Sequence, residues 1–443
     1  MSQARASQAS SGTINRVATR HKAMMMVATV ARMAGGLLTF VLIARYLHPA
    51  SFGLIATAMA YTAFVGIITD FGLGTAALRD AAAAPDRTAE VMGNALAVKV
   101  LVAAPITLIG GLSLGFLMPS SWLLIYSLVF VGALAYSFGE LSLVVARAKG
   151  RFDLEAKIVL GSSLVMLMIV GGVATLTGSI VMVAIAFATT RIGYLLLVLF
   201  VLRNWLGSPF SRKWSDVMAT GRRASSYAAD SFLTSLATQI DVLLFGAFLN
   251  LHDMGIYQSG ARLVQVIIPF AVVLSTVYLP SLVAAQAQGS EAEYRRDAVR
   301  LTWEFTGLAV ISGFGFAFVA PTITDLLYGN AYNALQSLWS GFAVFATLRL
   351  AASAYGIQLV ALGRIRSRLI NSIAAISILI GATVLVMPTR GLIASTWILA
   401  LSAVPPFLFL GTTLIRSGWG GRHVPASMVV TVAAVTVLVV LWL

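Results

Sequence analysis

Thirteen apolar stretches divide this chain, and most reach or approach the ~20 residues a helix needs to cross about 30 Å of hydrocarbon. They fall at 24–44, 54–71, 91–117, 122–146, 158–177, 180–202, 226–249, 261–284, 301–327, 335–361, 369–388, 391–415 and 425–443. None has the alternation or the roughly 10-residue length of a membrane barrel strand, so the expected class is an all-α polytopic membrane protein. Composition points the same way. Of 443 residues 59% are hydrophobic and 10% charged, whereas a soluble domain carries roughly 25% charged residues. A water-soluble fold has too much surface relative to its volume to hide so much apolar material. The first 22 residues are polar and cationic, and the apolar run behind them is too long for a signal-peptide core, so 24–47 reads as an uncleaved first span.

Lys and Arg set the expected orientation. With residues 1–23 as a cytoplasmic tail, the segments on the cytoplasmic side hold 23 of the 30 basic residues, and the opposite loops hold only Arg45 and Arg390. That asymmetry is a positive-inside signal and sets the expected orientation, an inner-membrane protein with its N-terminus in the cytoplasm. It also accounts for the net charge of +14 without any nucleic-acid partner. Most tryptophans fit an aromatic belt: Trp122, Trp339, Trp397 and Trp442 stand towards outer span ends and Trp303 near an inner one. In the basic segment 203–225, Phe210, Trp214, Val217 and Met218 recur at helical spacing, which predicts a short helix lying on the inner leaflet. The outer loops are too short for an extracytoplasmic catalytic or receptor domain.

The chain also repeats. Tyr46-Leu47-His48-Pro49-Ala50-Ser51-Phe52-Gly53 follows span 1, and Phe248-Leu249-Asn250-Leu251-His252-Asp253-Met254-Gly255 follows span 7. Aligning Gly53 with Gly255 gives an offset of 202 residues that carries span 1 onto span 7. An even number of spans separates the copies, so the halves are parallel, related by an axis along the membrane normal. The expected organisation is an N-lobe at 24–202, a cytoplasmic amphipathic connector at 203–225, a C-lobe at 226–415 and an extra span within 416–443.

Four motifs carry a resemblance. Ala44-Arg45-Tyr46-Leu47-His48-Pro49-Ala50-Ser51-Phe52-Gly53 resembles the A-R-x-L-G-P-x-x-F-G signature of Wzx-type polysaccharide-export flippases, members of the multidrug/oligosaccharidyl-lipid/polysaccharide (MOP) exporter superfamily. Asp70-Phe71-Gly72-Leu73-Gly74, Asn250-Leu251-His252-Asp253-Met254-Gly255-Ile256-Tyr257 and Leu327-Tyr328-Gly329-Asn330-Ala331-Tyr332 are similar to the family's patterns after spans 2, 7 and 9. His48 departs from the usual Gly, and a thirteenth span departs from the usual twelve or fourteen. The resemblance implies a MATE-like fold of two six-helix bundles plus a thirteenth helix. It implies O-antigen, lipopolysaccharide or exopolysaccharide synthesis, with an undecaprenyl-diphosphate-linked oligosaccharide moved between leaflets by alternating access. It further implies a membrane-lipid setting and polysaccharide polymerase or export machinery as partners.

Polar groups inside a bilayer are costly unless they pair or line a cavity. At mid-depth stand Arg32, Lys99, Glu140 and Arg191 in the first half, and Asp230, Asp241 and Arg349 in the second. Thr29, Arg32, Gly36 and Thr39 share one helical face of span 1, as do Asp230, Thr234, Thr238 and Asp241 in span 7. The 202-residue offset maps Arg32 onto Thr234 and Thr39 onto Asp241. Three cations to one anion in the first half suit an anionic diphosphate headgroup. Arg32, Lys99, Arg191 and Arg349 are therefore the expected substrate contacts, with Asp241 and Glu140 as coupling-ion or proton sites. Internal pairing, Lys99 or Arg32 with Glu140, is the competing reading, and Asp241 has Arg349 as an alternative partner. Gly111 and Gly115 form a GxxxG that permits close helix packing. No P-loop occurs, so neither a nucleotide nor any other cofactor is expected. The chain has no Cys, which excludes thiolate metal sites, and its four histidines are dispersed. Two other classes compete. A drug/cation antiporter on the same fold calls for carboxylates dominating the cavity, and a membrane glycan polymerase or ligase calls for a large outward loop.

Overall fold

Hydrocarbon offers backbone amides no water, so each crossing segment must close its own hydrogen bonds. Among the described residues the chain is accordingly helical, with no strand. The computed structural model describes the backbone of residues 2–210 and 213–442. It describes the side chains of residues 29–442 apart from 117, 211–212, 226, 229–231, 233–235, 237–238, 269, 365 and 368–369. Ten helical stretches within the described residues are long and apolar enough to cross a membrane.

The first half comprises α1 (Ser2–Asp70), α2 (Leu73–Ala83), α3 (Thr88–Leu117), α4 (Ser120–Ala148), α5 (Phe152–Met166), α6 (Gly172–Thr177) and α7 (Ile180–Leu202). Then follow α8 (Trp214–Gly246), α9 (Leu251–Val264), α10 (Ile268–Ala287), α11 (Glu291–Phe314), α12 (Ala320–Tyr328), α13 (Trp339–Ala361), α14 (Ile365–Ser402), α15 (Val404–Arg416) and α16 (His423–Val440). The long helices α1 and α14 are each broken inside, at His48 and at Gly391, three residues after Pro388. Those breaks fall where the apolar pattern separates spans 1 and 2 and spans 11 and 12. The segment 203–225 differs from expectation: Trp214 opens α8, which continues unbroken into the apolar stretch instead of forming a separate surface helix. Nothing between Trp214 and Gly246 stops it, since no proline interrupts those residues.

His48 adopts φ 65°, ψ 161°, a region occupied almost only by glycine and costing about 1–3 kcal/mol for other residues. This is the position at which the sequence has His where the resembling signature has Gly. His48→Gly should therefore raise the thermal unfolding midpoint in detergent. A lowered midpoint would mean that the imidazole makes a compensating contact.

The chain divides into two compact units, Met1–Tyr46 with Ala58–Leu236, and Leu47–Thr57 with Ala237–Leu443. In the first unit α4 and α7 lie closely side by side. Gly132 and Gly139 make this possible: a Cβ at Gly132 would stand 3.1 Å from the Ala188 Cα, and one at Gly139 2.6 Å from the Tyr194 ring. In the second unit, Tyr294, Leu301, Phe305, Tyr355, Leu359 and Phe407 form the middle of an apolar core. The thirteenth apolar stretch, α16, belongs to this core. Its Ser427 hydroxyl lies 2.7 Å from the Thr306 hydroxyl and 2.9 Å from that of Tyr355, hydrogen bonds of the kind that join helices where apolar burial supplies no driving force. Trp339 corrects the aromatic-belt reading. It is buried, and its indole N–H donates to Thr324 Oγ1 at 3.0 Å.

The repeated motifs meet one another in the second unit. Gly53 lies so close to the Leu251 carbonyl, and Gly255 to the Pro49 carbonyl, that neither position has room for a Cβ. Under the 202-residue offset Pro49 corresponds to Leu251 and Gly53 to Gly255, so the contact is reciprocal, as across a local twofold. Asn250 sets the second copy by capping α9: its side chain accepts from the Asp253 N–H at 2.9 Å and donates to Asp253 Oδ2 at 3.0 Å. In the motif after span 9, Gly329 ends α12 with φ 75°. The buried Tyr328 and Tyr332 rings stand 5.0 Å apart beside it, and the Tyr328 hydroxyl donates to the Ser259 carbonyl at 3.2 Å.

Candidate functional site

Three of the expected polar residues converge in the first unit. Arg32 on α1 places Nη1 3.3 Å from Glu140 Oε2 on α4. The Tyr194 hydroxyl on α7 donates to Glu140 Oε1 at 2.7 Å. Arg191 lies one turn from Tyr194, its guanidinium 4.0 Å from the Tyr136 ring centroid and 5.3 Å from that of Phe187. This is a cation–π arrangement of the kind that strengthens once water is excluded. The Nε of Arg191 is buried and has no hydrogen-bond partner among the described residues. Tyr136 stands one turn before Glu140 on the same face of α4, and its ring packs on Tyr194 at 5.3 Å. Arg32, Glu140, Arg191, Tyr194 and Tyr136, with Ser162 and Ser163, line a cavity of about 60 Å³. Two guanidinium groups face one carboxylate, so the cluster keeps one positive charge beyond its internal pairing.

Lys99 is elsewhere and fully engaged. Its ammonium donates to Asp70 Oδ1 at 2.5 Å, Ser137 Oγ at 2.6 Å and the Ser137 carbonyl at 3.0 Å. Three acceptors take all three of its protons, and it does not line the Arg32–Arg191 cavity. The competing pairing read from the sequence thus holds for Arg32 with Glu140, while the partner of Lys99 is Asp70, at the end of span 2. The pair is asymmetric: the Lys99 side chain is 2% exposed and that of Asp70 55%. Asp70→Asn should therefore destabilise more than Lys99→Met, because it strands a buried ammonium, a loss of roughly 3–5 kcal/mol when a pair is fully buried. The double variant should recover part of the loss in a thermal melt. Equal midpoints for the two single variants would contradict this asymmetry.

In the second unit, Asp241 Oδ2 accepts a 2.5 Å hydrogen bond from Tyr257. The Tyr257 ring is buried between Phe245 and Phe342, at 5.0 and 5.8 Å. Arg262 reaches Gln265 Oε1 at 3.2 Å. Arg349 lies on an exposed position of α13. The side chains of Asp230, Thr234 and Thr238 lie outside the described residues. Tyr136 and Tyr194 went unrecognised in the sequence, and Asp70 and Tyr257 were read only as parts of motifs, not as polar partners of Lys99 and Asp241. The three-residue step from Arg191 to Tyr194 and the four-residue step from Tyr136 to Glu140 are the signal that marks two of them.

The profile of a family described as polysaccharide biosynthesis protein matches residues 42–337, more than half of the chain. The chain belongs to that family. The match takes in Lys99, Glu140, Arg191 and Asp241, whereas Arg32 and Arg349 lie outside it. No curated protein matches this polysaccharide biosynthesis family member. Solved structures do. An inward-facing multidrug resistance MATE family transporter of the MOP superfamily aligns at 16% identity over 90% of this chain and 98% of its own, with a TM-score of 0.65. The lipid II flippase MurJ in an inward closed conformation aligns at 11% identity over 94% and 97%, with a TM-score of 0.63. A MATE in complex with MaD3S follows at 15% identity, 93% and 96%, with a TM-score of 0.55. At these identities the likeness is one of fold: this family member is a multi-pass membrane protein with a MATE-like helical architecture.

Proposed function

We propose that this protein is a flippase that carries a polyprenyl-diphosphate-linked oligosaccharide from the cytoplasmic to the periplasmic leaflet of a bacterial inner membrane. The observation that carries the reading is the surplus of guanidinium over carboxylate in the cluster of Arg32, Arg191 and Glu140, within a chain of a polysaccharide biosynthesis family. Planar guanidinium groups suit a diphosphate because each can donate two parallel hydrogen bonds to phosphate oxygens. In this reading Glu140 holds Arg32 when no substrate is bound, and the diphosphate takes that place on arrival while Tyr194 retains the carboxylate. Arg191, its guanidinium over the Tyr136 ring, keeps its buried Nε–H for the incoming anion. Lys99 does not contact the headgroup; it ties α3 to Asp70 and α4.

The topology we propose has thirteen crossings and a cytoplasmic N-terminus, in agreement with the Lys and Arg distribution. Asp241, clamped by Tyr257 with Arg262 in its electrostatic surroundings, is the proposed coupling carboxylate, because its hydrogen bond comes from a neutral hydroxyl. Deleting the gene should leave lipid-linked oligosaccharide on the cytoplasmic face. Everted vesicles from the deletion strain should then present it to an externally added glycosidase, and the complemented strain should protect it. Equal accessibility in both strains would refute the proposal.

A further inference from the structure

A second, larger cavity lies in the first unit, apart from the arginine cluster. It measures about 840 Å³ and runs between α3 and the first turns of α8. Each wall is a single helical stripe. Val98, Leu101 and Val102 recur at i, i+3 and i+4 on α3, and Ser215, Met218, Ala219 and Arg222 at i, i+3, i+4 and i+7 on α8. The α3 stripe continues along an apolar exposed face through Leu108, Leu112 and Phe116. At the α8 wall the character changes. Arg223 is held by Asp80 at 2.9 Å, whereas its neighbour Arg222, exposed and lining the cavity, makes no ion pair among the described residues. Val98–Val102 belongs to an apolar span, and Ser215–Arg222 to the basic segment ahead of the next one. An apolar wall therefore meets a guanidinium at the edge of the hydrocarbon.

We propose that this groove binds an anionic phospholipid of the cytoplasmic leaflet, its phosphate on Arg222 and an acyl chain along Val98, Leu101 and Val102. Basic residues at the cytoplasmic edge of a span attract anionic lipid. A single cation without an ion-pair partner matches the one negative charge of a phosphodiester; a diphosphate carrier brings more charge than the rim offers. The site is independent of the flippase reading and persists whatever the transported substrate is.

The chain has no cysteine, so Ser215→Cys gives a single labelling position on the α8 wall. In vesicles of phosphatidylcholine, a fluorophore there is quenched by brominated phosphatidylglycerol or by brominated phosphatidylcholine added at equal mole fraction. The expected result is a preference of about fivefold for phosphatidylglycerol, the factor one basic residue contributes near anionic lipid. Arg222→Gln should level the two lipids and Arg222→Lys should keep the preference. Gly221→Leu should weaken quenching by both lipids, because a Cβ there lies 3.8 Å from the Val98 methyls and carries the side chain into the groove without a backbone clash. Equal quenching in the unsubstituted protein, or a preference that survives Arg222→Gln, would overturn the proposal. So would loss of the phosphatidylglycerol signal to an equimolar amount of undecaprenyl phosphate, which would assign the groove to the isoprenoid carrier.

Discussion

Gly53→Ala and Gly255→Ala should each lower the unfolding midpoint more than alanine at the other glycines on these two helices. At Gly53 the new methyl group would overlap the Leu251 carbonyl oxygen, with the Gly255 amide nitrogen 2.9 Å away. At Gly255 it would overlap the Pro49 carbonyl oxygen, with the carbonyl carbon at 2.7 Å. These neighbours are backbone, so no rotamer change relieves the clash and the two segments must separate. Overpacking typically costs about 1–3 kcal/mol, and a collision with main chain belongs at the upper end. The reciprocal geometry adds a sharper expectation. Once one substitution has pried the segments apart, the second has little left to break, so the double variant should cost clearly less than the sum of the two. Additive losses, or a Gly53→Ala midpoint equal to that of the unsubstituted protein, would mean that the contact is not shared.

Arg32→Ala and Arg191→Ala should each abolish most transport in the deletion background while leaving the protein in the membrane. Losing a charged contact to substrate costs about 2–5 kcal/mol where the pair is desolvated, with less expected for Arg32, whose side chain is 39% exposed, and each 1.4 kcal/mol is tenfold in affinity. The competing explanation is that Arg32 serves only to neutralise Glu140, 3.3 Å away. The variant lacking both side chains separates the two. Removing Glu140 as well should restore transport if neutralisation is the whole role of Arg32, and should leave transport lost if Arg32 meets the substrate. Arg191 has its own control in Tyr136→Leu, which removes the ring beneath the guanidinium at 4.0 Å but keeps the charge. Partial loss is expected there, smaller than for Arg191→Ala. Full complementation by both arginine variants would remove the cluster from the mechanism.

Much of the architecture is legible in the residues because its causes are local. Whether a stretch crosses the bilayer depends on its own length and apolarity, and the breaks at His48 and Gly391 fall at the junctions that pattern marks. The 202-residue repeat is equally local information, and its glycines prove to be the points of closest approach. The start of α8 was not legible, since a basic amphipathic segment reads alike whether it lies on a surface or opens a longer helix. Trp339 was misplaced for a related reason: nearness to a span end does not reveal whether a neighbouring helix covers the ring.

The chain by itself therefore determined that this is a polytopic helical membrane protein, and which charges within its apolar stretches need an explanation. Partition into a bilayer acts on each segment separately, so these properties follow from composition along the sequence. Only the tertiary structure decided how those charges are used. Arg32 and Glu140 stand 108 residues apart and Asp70 and Lys99 29 apart, and ion pairing acts across a few ångströms of space rather than along the chain. The packing of α1, α4 and α7 leaves the cluster of Arg32, Arg191 and Glu140 with a surplus cation. The packing of α3 against α4 closes Lys99 within a network that has no proton left to offer.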